Sequence, residues 1–292
     1  MTTSHPLHVL VTGATGKQGG AVAREMLSHG HRVRALTRDP ASEAARALAD
    51  LGAETVRGDF GDAESLRAAA TGVDVVFAMS SFWETGTDDE TRHGIALIDA
   101  VADTGIEHFV FTSVASADQN TGVPHFDSKY RIERHLVGSG LPHTILRPAY
   151  FMENVPIFSG DGLAHGKYTI ALSPDRPLQQ ITVGDIGKFA LHVMENRGDF
   201  IGSAIDIAGD ELTGNEVAQI ISTVTGVPVE YEQMPIDAIR AFSHDVALMF
   251  EFFENVGMKA DISTLRARYP QVGWTRFEDW ATSYDWDSLI HP

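Results

Sequence analysis

The sequence contains no cysteine, which excludes disulfides, a cysteine nucleophile and thiolate metal ligands. Basic residues are scarce: 22 Lys+Arg stand against 40 Asp+Glu, a formal net charge of −18. Nucleic-acid binding depends on Lys and Arg to neutralise phosphates, and no Lys/Arg run offsets the acidity. No nucleic-acid partner is therefore expected, and anionic membrane surfaces are disfavoured for the same reason. No stretch reaches the about 18 apolar residues of a membrane span. Residues 1–8 are polar and lack the basic start and apolar run of a signal peptide. These absences predict a cytoplasmic protein with no membrane partner. The thirteen histidines include no HExxH-type pair, so no metal is expected.

What is present is a chain of 292 residues, 43% hydrophobic, with enough apolar surface for a sizeable core. It is long for one compact domain and short for two independent ones. Runs at 7–12 (LHVLVT), 31–36 (HRVRAL), 54–57 (ETVR), 74–79 (DVVFAM), 108–112 (HFVFT) and 144–146 (TIL) read as six strands. Helical spacing fills the intervals, with Asp62 placed to cap the third helix and Ile95, Ile98 and Val101 spacing the fourth. Strands alternating with helices predict an α/β fold, a parallel sheet with a ligand crevice at the carboxyl ends of its strands. After Arg147 the rhythm changes. Residues 150–177 read as loop with short elements, 185–195 and 214–225 as helices, 204–208 as a late strand, and 249–253 (MFEFF) as part of an aromatic helix. Thr275 and Glu278 have the spacing of a capping box.

One motif carries chemistry. Gly13, Gly16 and Gly19 form GxxGxxG between the first strand and the first helix, the context of a dinucleotide-binding Rossmann unit. The first glycine permits the tight turn, the second lets backbone approach a pyrophosphate, and the third lets helix and strand pack closely. Thr15, Lys17 and Gln18 lie in the same loop, and the helix start offers N–H groups to phosphates. The second strand ends Leu36-Thr37-Arg38. An acid for a ribose 2′-hydroxyl is missing at Thr37, whereas Arg38 suits a 2′-phosphate, so NADP(H) is the expected cofactor. Lys17 adds a second positive charge. Asp59 and Phe60 either flank the adenine or serve as a turn acid and a core ring. Met79, Ser80, Ser81 and Phe82 follow the fourth strand, where the nicotinamide ribose passes in such folds. The predicted architecture is a doubly wound parallel Rossmann sheet over 1–150, with a late strand and helix from 182–208. A smaller α+β C-terminal lobe covers 151–181 and 209–292.

The chain resembles the NmrA-like family, a branch of the atypical short-chain dehydrogenase/reductases. TGATGKQGG at 12–20, TRDP at 37–40, GDF at 58–60, FWE at 82–84, HFDSK at 125–129 and ILRPAYFMEN at 145–154 carry the likeness. DVALMFEFF at 245–253 is similar to a late helix of an NADPH-sensing member. The resemblance implies NADP(H) and a smaller C-terminal lobe. It leaves activity open, since some members act as redox-sensing regulators, while quinone reductases and the isoflavone-reductase-like group transfer hydride. It also implies that Lys129 lies beside the nicotinamide and that Tyr150, Phe151 and Asn154 belong to a loop closing over it.

The ordinary Tyr-x-x-x-Lys pair is missing, because Tyr130 is followed at the fourth position by Arg134. Arginine is always charged and does not replace that lysine. Lys129 is the candidate catalytic residue, holding ribose hydroxyls or donating to a developing oxyanion after its pKa is lowered by burial or positive neighbours. The alternative is a surface lysine paired with Glu133. Ser113, after the fifth strand, either bonds substrate or ribose or belongs to a turn. His125 reads as a solvated loop residue. Two functions follow: an NADPH-dependent reductase acting on a quinone or conjugated carbonyl of a small aromatic molecule, or an NADP(H)-sensing regulator that binds a protein partner. A homodimer is compatible with either.

Overall fold

The computed structural model describes residues 5–290; the first four residues of the polar start, 1–4, lie outside them. In chain order the elements begin β1 (His8–Val11), α1 (Lys17–Ser28), β2 (Arg32–Thr37), α2 (Glu43–Asp50), β3 (Glu54–Arg57), α3 (Ala63–Ala70), β4 (Val75–Met79) and α4 (Thr87–Val101). There follow β5 (His108–Thr112), α5 (Pro124–Ser139), β6 (His143–Pro148), β7 (Tyr150–Phe151), α6 (Val155–Leu163), β8 (Lys167–Ile170), β9 (Leu178–Ile181) and α7 (Val183–Glu195). The chain continues with β10 (Ser203–Ile207), β11 (Asp210–Leu212), α8 (Gly214–Thr225), β12 (Glu230–Gln233), α9 (Ile236–Phe242) and α10 (His244–Asn255). It closes with α11 (Ile262–Arg268), α12 (Phe277–Ser283) and α13 (Asp287–Ile290). Two compact units result. The first runs to Asp118 and adds His125–Arg147 and Ile186–Ile205; the second holds Gln119–Pro124, Pro148–Asp185 and the residues from Asp206 onward. Among the described residues no helix is long and apolar enough to cross a membrane.

The first unit is built on a seven-stranded sheet in the order β10-β6-β5-β4-β1-β2-β3. The pairs from β3 through β6 are parallel, in registers such as Val9↔Val33, Val9↔Val75 and Val75↔His108. β1 and β5 are buried along their whole length, as expected of parallel strands covered on both faces. Chain order reverses between β1 and β4, so the loops after β1, β2, β4 and β5 emerge along one sheet edge at the switch point. Asp62 caps α3 as its sequence predicts, accepting from the N–H groups of Glu64 and Ser65 at 3.1 and 3.2 Å.

Buried polar groups in this unit have specific consequences. Thr144 Oγ1 donates to Phe200 O at 2.8 Å, so His108 Nε2, 2.8 Å from the same oxygen, is the donor of that contact. The other ring nitrogen, Nδ1, is buried without a partner. Burial, then the charges of Arg197 and His143, lower the His108 pKa from 6.5 to about 4. Between these values the unfolded chain binds the extra proton, so stability is full above the unfolded pKa and falls as pH drops toward the folded one. The expected loss is roughly 3 kcal/mol. Denaturant unfolding of a His108→Gln variant should show a flatter stability slope across that window. An unchanged slope would refute the assignment.

The second unit carries sheets β11-β9-β7 and β12-β8. Two expectations from sequence are corrected here. The stretch 150–177 is not mainly loop: it holds β7, α6 and β8. Pro156 sits in the first turn of α6, where proline is tolerated. Gly162 serves close packing, because a Cβ there would lie 2.7 Å from Lys167 O. Nor do Thr275 and Glu278 form a capping box. Arg276 is the N-cap of α12, and the Thr275 N–H and hydroxyl donate instead to the buried Asp185 carboxylate at 2.7 and 2.8 Å. The capping box belongs to Thr213 and Glu216 at the start of α8.

Candidate functional site

The glycine turn lies at the carboxyl end of β1. Gly13 has φ +59°, a left-handed conformation that glycine adopts without steric cost. A Cβ there would also lie 2.7 Å from Met79 Cγ. A Cβ on Gly19 would sit 2.6 Å from the Gly13 carbonyl carbon and 2.7 Å from Thr12 O, so the helix packs onto the turn only because the side chain is absent. Gly16 donates to Gly13 O at 2.9 Å and leads into α1, which has no side-chain cap and no acid in its first turn. Thr15, Gly16 and Lys17 are exposed there. Gln18 points inward, donating to Thr112 Oγ1 at 2.6 Å. An uncapped helix start without acids suits a bound anion.

The turn is joined to the loop after β4. Thr12 Oγ1 accepts from the Met79 N–H at 2.9 Å and contacts Met79 O at 3.2 Å. Ser80 follows, buried, with its hydroxyl 3.1 Å from Glu90 Oε1. Glu90, from the first turn of α4, has no exposed surface. Its carboxylate also accepts from Ser128 Oγ and, at 2.6 Å, from Lys129 Nζ. Lys129 donates further to Ser80 O at 3.1 Å, and its remaining contact, Ser80 Oγ at 3.5 Å, is long. Lys129 thus joins the loop that follows the glycine turn's neighbour Met79. It does not pair with Glu133, whose carboxylate is taken by Arg147 at 3.0 and 2.6 Å. Of the two expected influences on Lys129, burial is present, its side chain being 13% exposed, while its charged neighbour is the Glu90 carboxylate and not a positive group. The group is held as a fixed hydrogen-bond donor.

Beside it lies an aromatic platform. Phe82 stacks on His125 at 4.5 Å and 17° and touches Trp83 at 4.4 Å. His125 is not a solvated loop residue. It is buried in the first turn of α5, one helical turn before Lys129. Ser81 is exposed and accepts from the Trp83 N–H at 3.4 Å. Ser113, at the end of β5, has a buried hydroxyl without a partner, which suits a group meant to bond a ligand.

At the end of β2, Arg38 is exposed and engages Glu84 through both terminal guanidinium nitrogens, Nη1 and Nη2, at 2.7 and 3.0 Å. The Glu84 hydrogen bonds and charge, with a smaller contribution from Asp59, raise the Arg38 pKa further above its ordinary value. Asp59 is exposed and receives the Gly61 N–H at 2.7 Å. Phe60 is half-buried against the core and stacks with His93 at 5.8 Å. Tyr150, Phe151 and Asn154 belong to the second unit. The Tyr150 ring lies 6.3 to 6.5 Å from Phe158, Phe250 and Phe253. Its buried hydroxyl lacks a partner, and burial pushes its ionisation well above the usual range. Phe151 and Asn154 are half-buried, the latter preceding α6. Glu90, Ser128 and Glu84 were missed from sequence, since their roles depend on contacts far along the chain.

Residues 7–281 match the profile of the NmrA-like family. The chain belongs to the NmrA-like family. A relative from Streptomyces griseus subsp. griseus, a (4-alkanoyl-5-oxo-2,5-dihydrofuran-3-yl)methyl phosphate reductase, is 31% identical over 234 residues, covering 80% of this chain and 79% of its own. Among solved structures, NmrA, a negative transcriptional regulator in complex with NADP, superposes with TM-score 0.82 at 19% identity, over 97% of each chain. The NADPH-dependent quinone oxidoreductase QOR2 of Escherichia coli, complexed with NADPH, gives TM-score 0.79 at 24% identity, over 94% of this chain and 98% of its own. The NmrA-like fold thus spans both a regulator and a reductase.

Proposed function

We propose that this chain is an NADPH-dependent reductase acting on a quinone or conjugated carbonyl of a small aromatic molecule. The observation that carries the reading is the linkage of the glycine turn, through Met79 and Ser80, to a lysine ammonium fixed by a buried carboxylate. The first turn of α1 would hold the pyrophosphate and Arg38 the 2′-phosphate, with Ser113 offering a hydroxyl at the end of β5. When bound, the reduced nicotinamide would supply hydride. Lys129 presents a preorganised donor for an oxygen on ribose or acceptor, and such donors lose little to reorganisation. The Phe82–His125 stack offers a flat apolar surface suited to an aromatic ring.

Stopped-flow mixing of the NADPH-loaded protein with a panel of quinones and enones should show decay of NADPH absorbance. Lys129→Gln should slow it about 100-fold. If no acceptor in the panel ever oxidised bound NADPH, the reductase reading would be wrong. A second reading, an NADP(H)-sensing regulator, is favoured by Arg134 standing where ordinary relatives place the catalytic lysine. It requires a partner whose affinity differs with and without NADPH, and equal affinities would dismiss it.

A further inference from the structure

Arg38 and Glu84 are 46 residues apart in sequence yet form a two-pronged pair at the outer end of β2. A carboxylate fork fills the same planar donor face that a phosphate would use. The two side chains are 69% and 63% exposed, so a solute reaches the pair from water. Asp59 adds a second negative charge near the guanidinium. Arg38 therefore faces two carboxylates, and an incoming phosphate meets repulsion unless Glu84 leaves. Glu84 sits in the short loop between β4 and α4, two residues after Phe82 and two before Gly86. That loop is closed by a Gly86 N–H bond to Phe82 O at 2.9 Å. The same loop carries Ser80, which holds Glu90 and Lys129, and Trp83, a residue 60% exposed whose ring lies against Phe82.

We propose that Glu84 is a specificity-determining residue: an internal counter-ion that occupies Arg38 in place of a ribose 2′-phosphate, and whose displacement by that phosphate releases the loop bearing Phe82 and Trp83. This rests on the dinucleotide reading above. NADP(H) and NAD(H) then differ in two ways. Only the phosphorylated dinucleotide competes with Glu84, and only it frees the loop next to Lys129. The penalty is small, because exposed ion pairs contribute about 0.2–1 kcal/mol. Its removal corresponds to about a 1.5- to 5-fold change in affinity.

The test is titration calorimetry with NADP+ and NAD+ on the wild-type chain, Glu84→Gln, Arg38→Met and the double variant, together with Trp83 emission. Glu84→Gln should tighten NADP+ by about 1.5- to 5-fold and leave NAD+ unchanged. In the Arg38→Met background the same substitution should do nothing. NADP+ should alter the tryptophan emission of the wild type more than NAD+ does, and Trp83→Phe should remove the difference. Weaker NADP+ binding by Glu84→Gln would instead make Glu84 a support that positions Arg38, overturning the proposal. Equal tightening of both dinucleotides would overturn it too, reducing Glu84 to general repulsion. If the wild-type chain bound neither dinucleotide, the cofactor reading itself would fall, and this inference with it. Binding of NAD+ with no effect of Glu84→Gln on NADP+ would sink the inference alone.

Discussion

Glu90→Leu should destabilise the chain by about 3–5 kcal/mol, the cost of leaving one member of a buried ion pair without its partner. Glu90 has no exposed surface, and the Lys129 side chain is only 13% exposed. Removing the carboxylate leaves the ammonium without its counter-ion and takes an acceptor from the hydroxyls of Ser80 and Ser128. Lys129→Leu should cost a similar amount for the converse reason. The double variant, Glu90→Leu with Lys129→Leu, should recover much of the loss, because apolar replacement of a whole buried pair is often near neutral. Denaturant midpoints of the four proteins form the cycle. Additive losses would mean that the pair does not act as a unit. The conservative Glu90→Gln keeps the shape and some of the hydrogen bonds. It should retain the fold while lowering the rate of NADPH oxidation more than NADPH affinity, the pattern of a residue that positions Lys129. If Glu90→Gln left the rate unchanged, its carboxylate would be a structural group only.

Gly19→Ala should abolish measurable dinucleotide binding, a loss of at least about 100-fold or roughly 2.7 kcal/mol. The added Cβ would lie 2.6 Å from the Gly13 carbonyl carbon and 2.7 Å from Thr12 O. Both are backbone atoms of the turn, with no flexible side chain to yield. Either α1 lifts from β1 or the turn shifts, and both movements disturb the helix start offered to phosphate. A stability loss within the ordinary 0.5–3 kcal/mol range should accompany it. Gly138 is the internal comparison. It lies near the end of α5, and a Cβ there meets nothing within 4 Å. Gly138→Ala should leave binding untouched and stabilise the helix by about 0.5–1 kcal/mol. Equal behaviour of the two alanine variants in NADPH titration would deny the turn its assigned role.

The first unit was largely legible because its signals are local. Six apolar runs separated by helical spacing give β1 to β6, and Gly13 and Gly19 declare themselves through backbone demands that only glycine meets. The polar contacts were less legible. Glu90 follows Asp88 and Asp89 at the start of α4, where acids are ordinarily explained by the helix dipole; its burial is set by α5, nearly 40 residues on. Lys129 has an attractive helical neighbour in Glu133, but the buried Arg147 competes for that carboxylate and takes it. His125 reads as a loop residue in sequence yet lies in the first turn of α5, with Phe82 from another loop covering its ring. The capping boxes teach the same lesson. Thr213 and Glu216 precede an apolar helix and cap it, whereas Thr275 is drawn away by Asp185, 90 residues distant. Spacing names the residues able to form a local bond; a tertiary partner decides which of them do.

Under the proposed function, reduced dinucleotide held at the Gly13–Gly19 turn is consumed at Lys129 rather than merely sensed. A single-turnover experiment with NADPH carrying deuterium at the transferred nicotinamide position tests it most directly. A quinone should oxidise the bound cofactor, deuterium should slow the decay, and Lys129→Gln should slow it further while NADPH still binds. NADPH that binds tightly but never decays with any acceptor would contradict it.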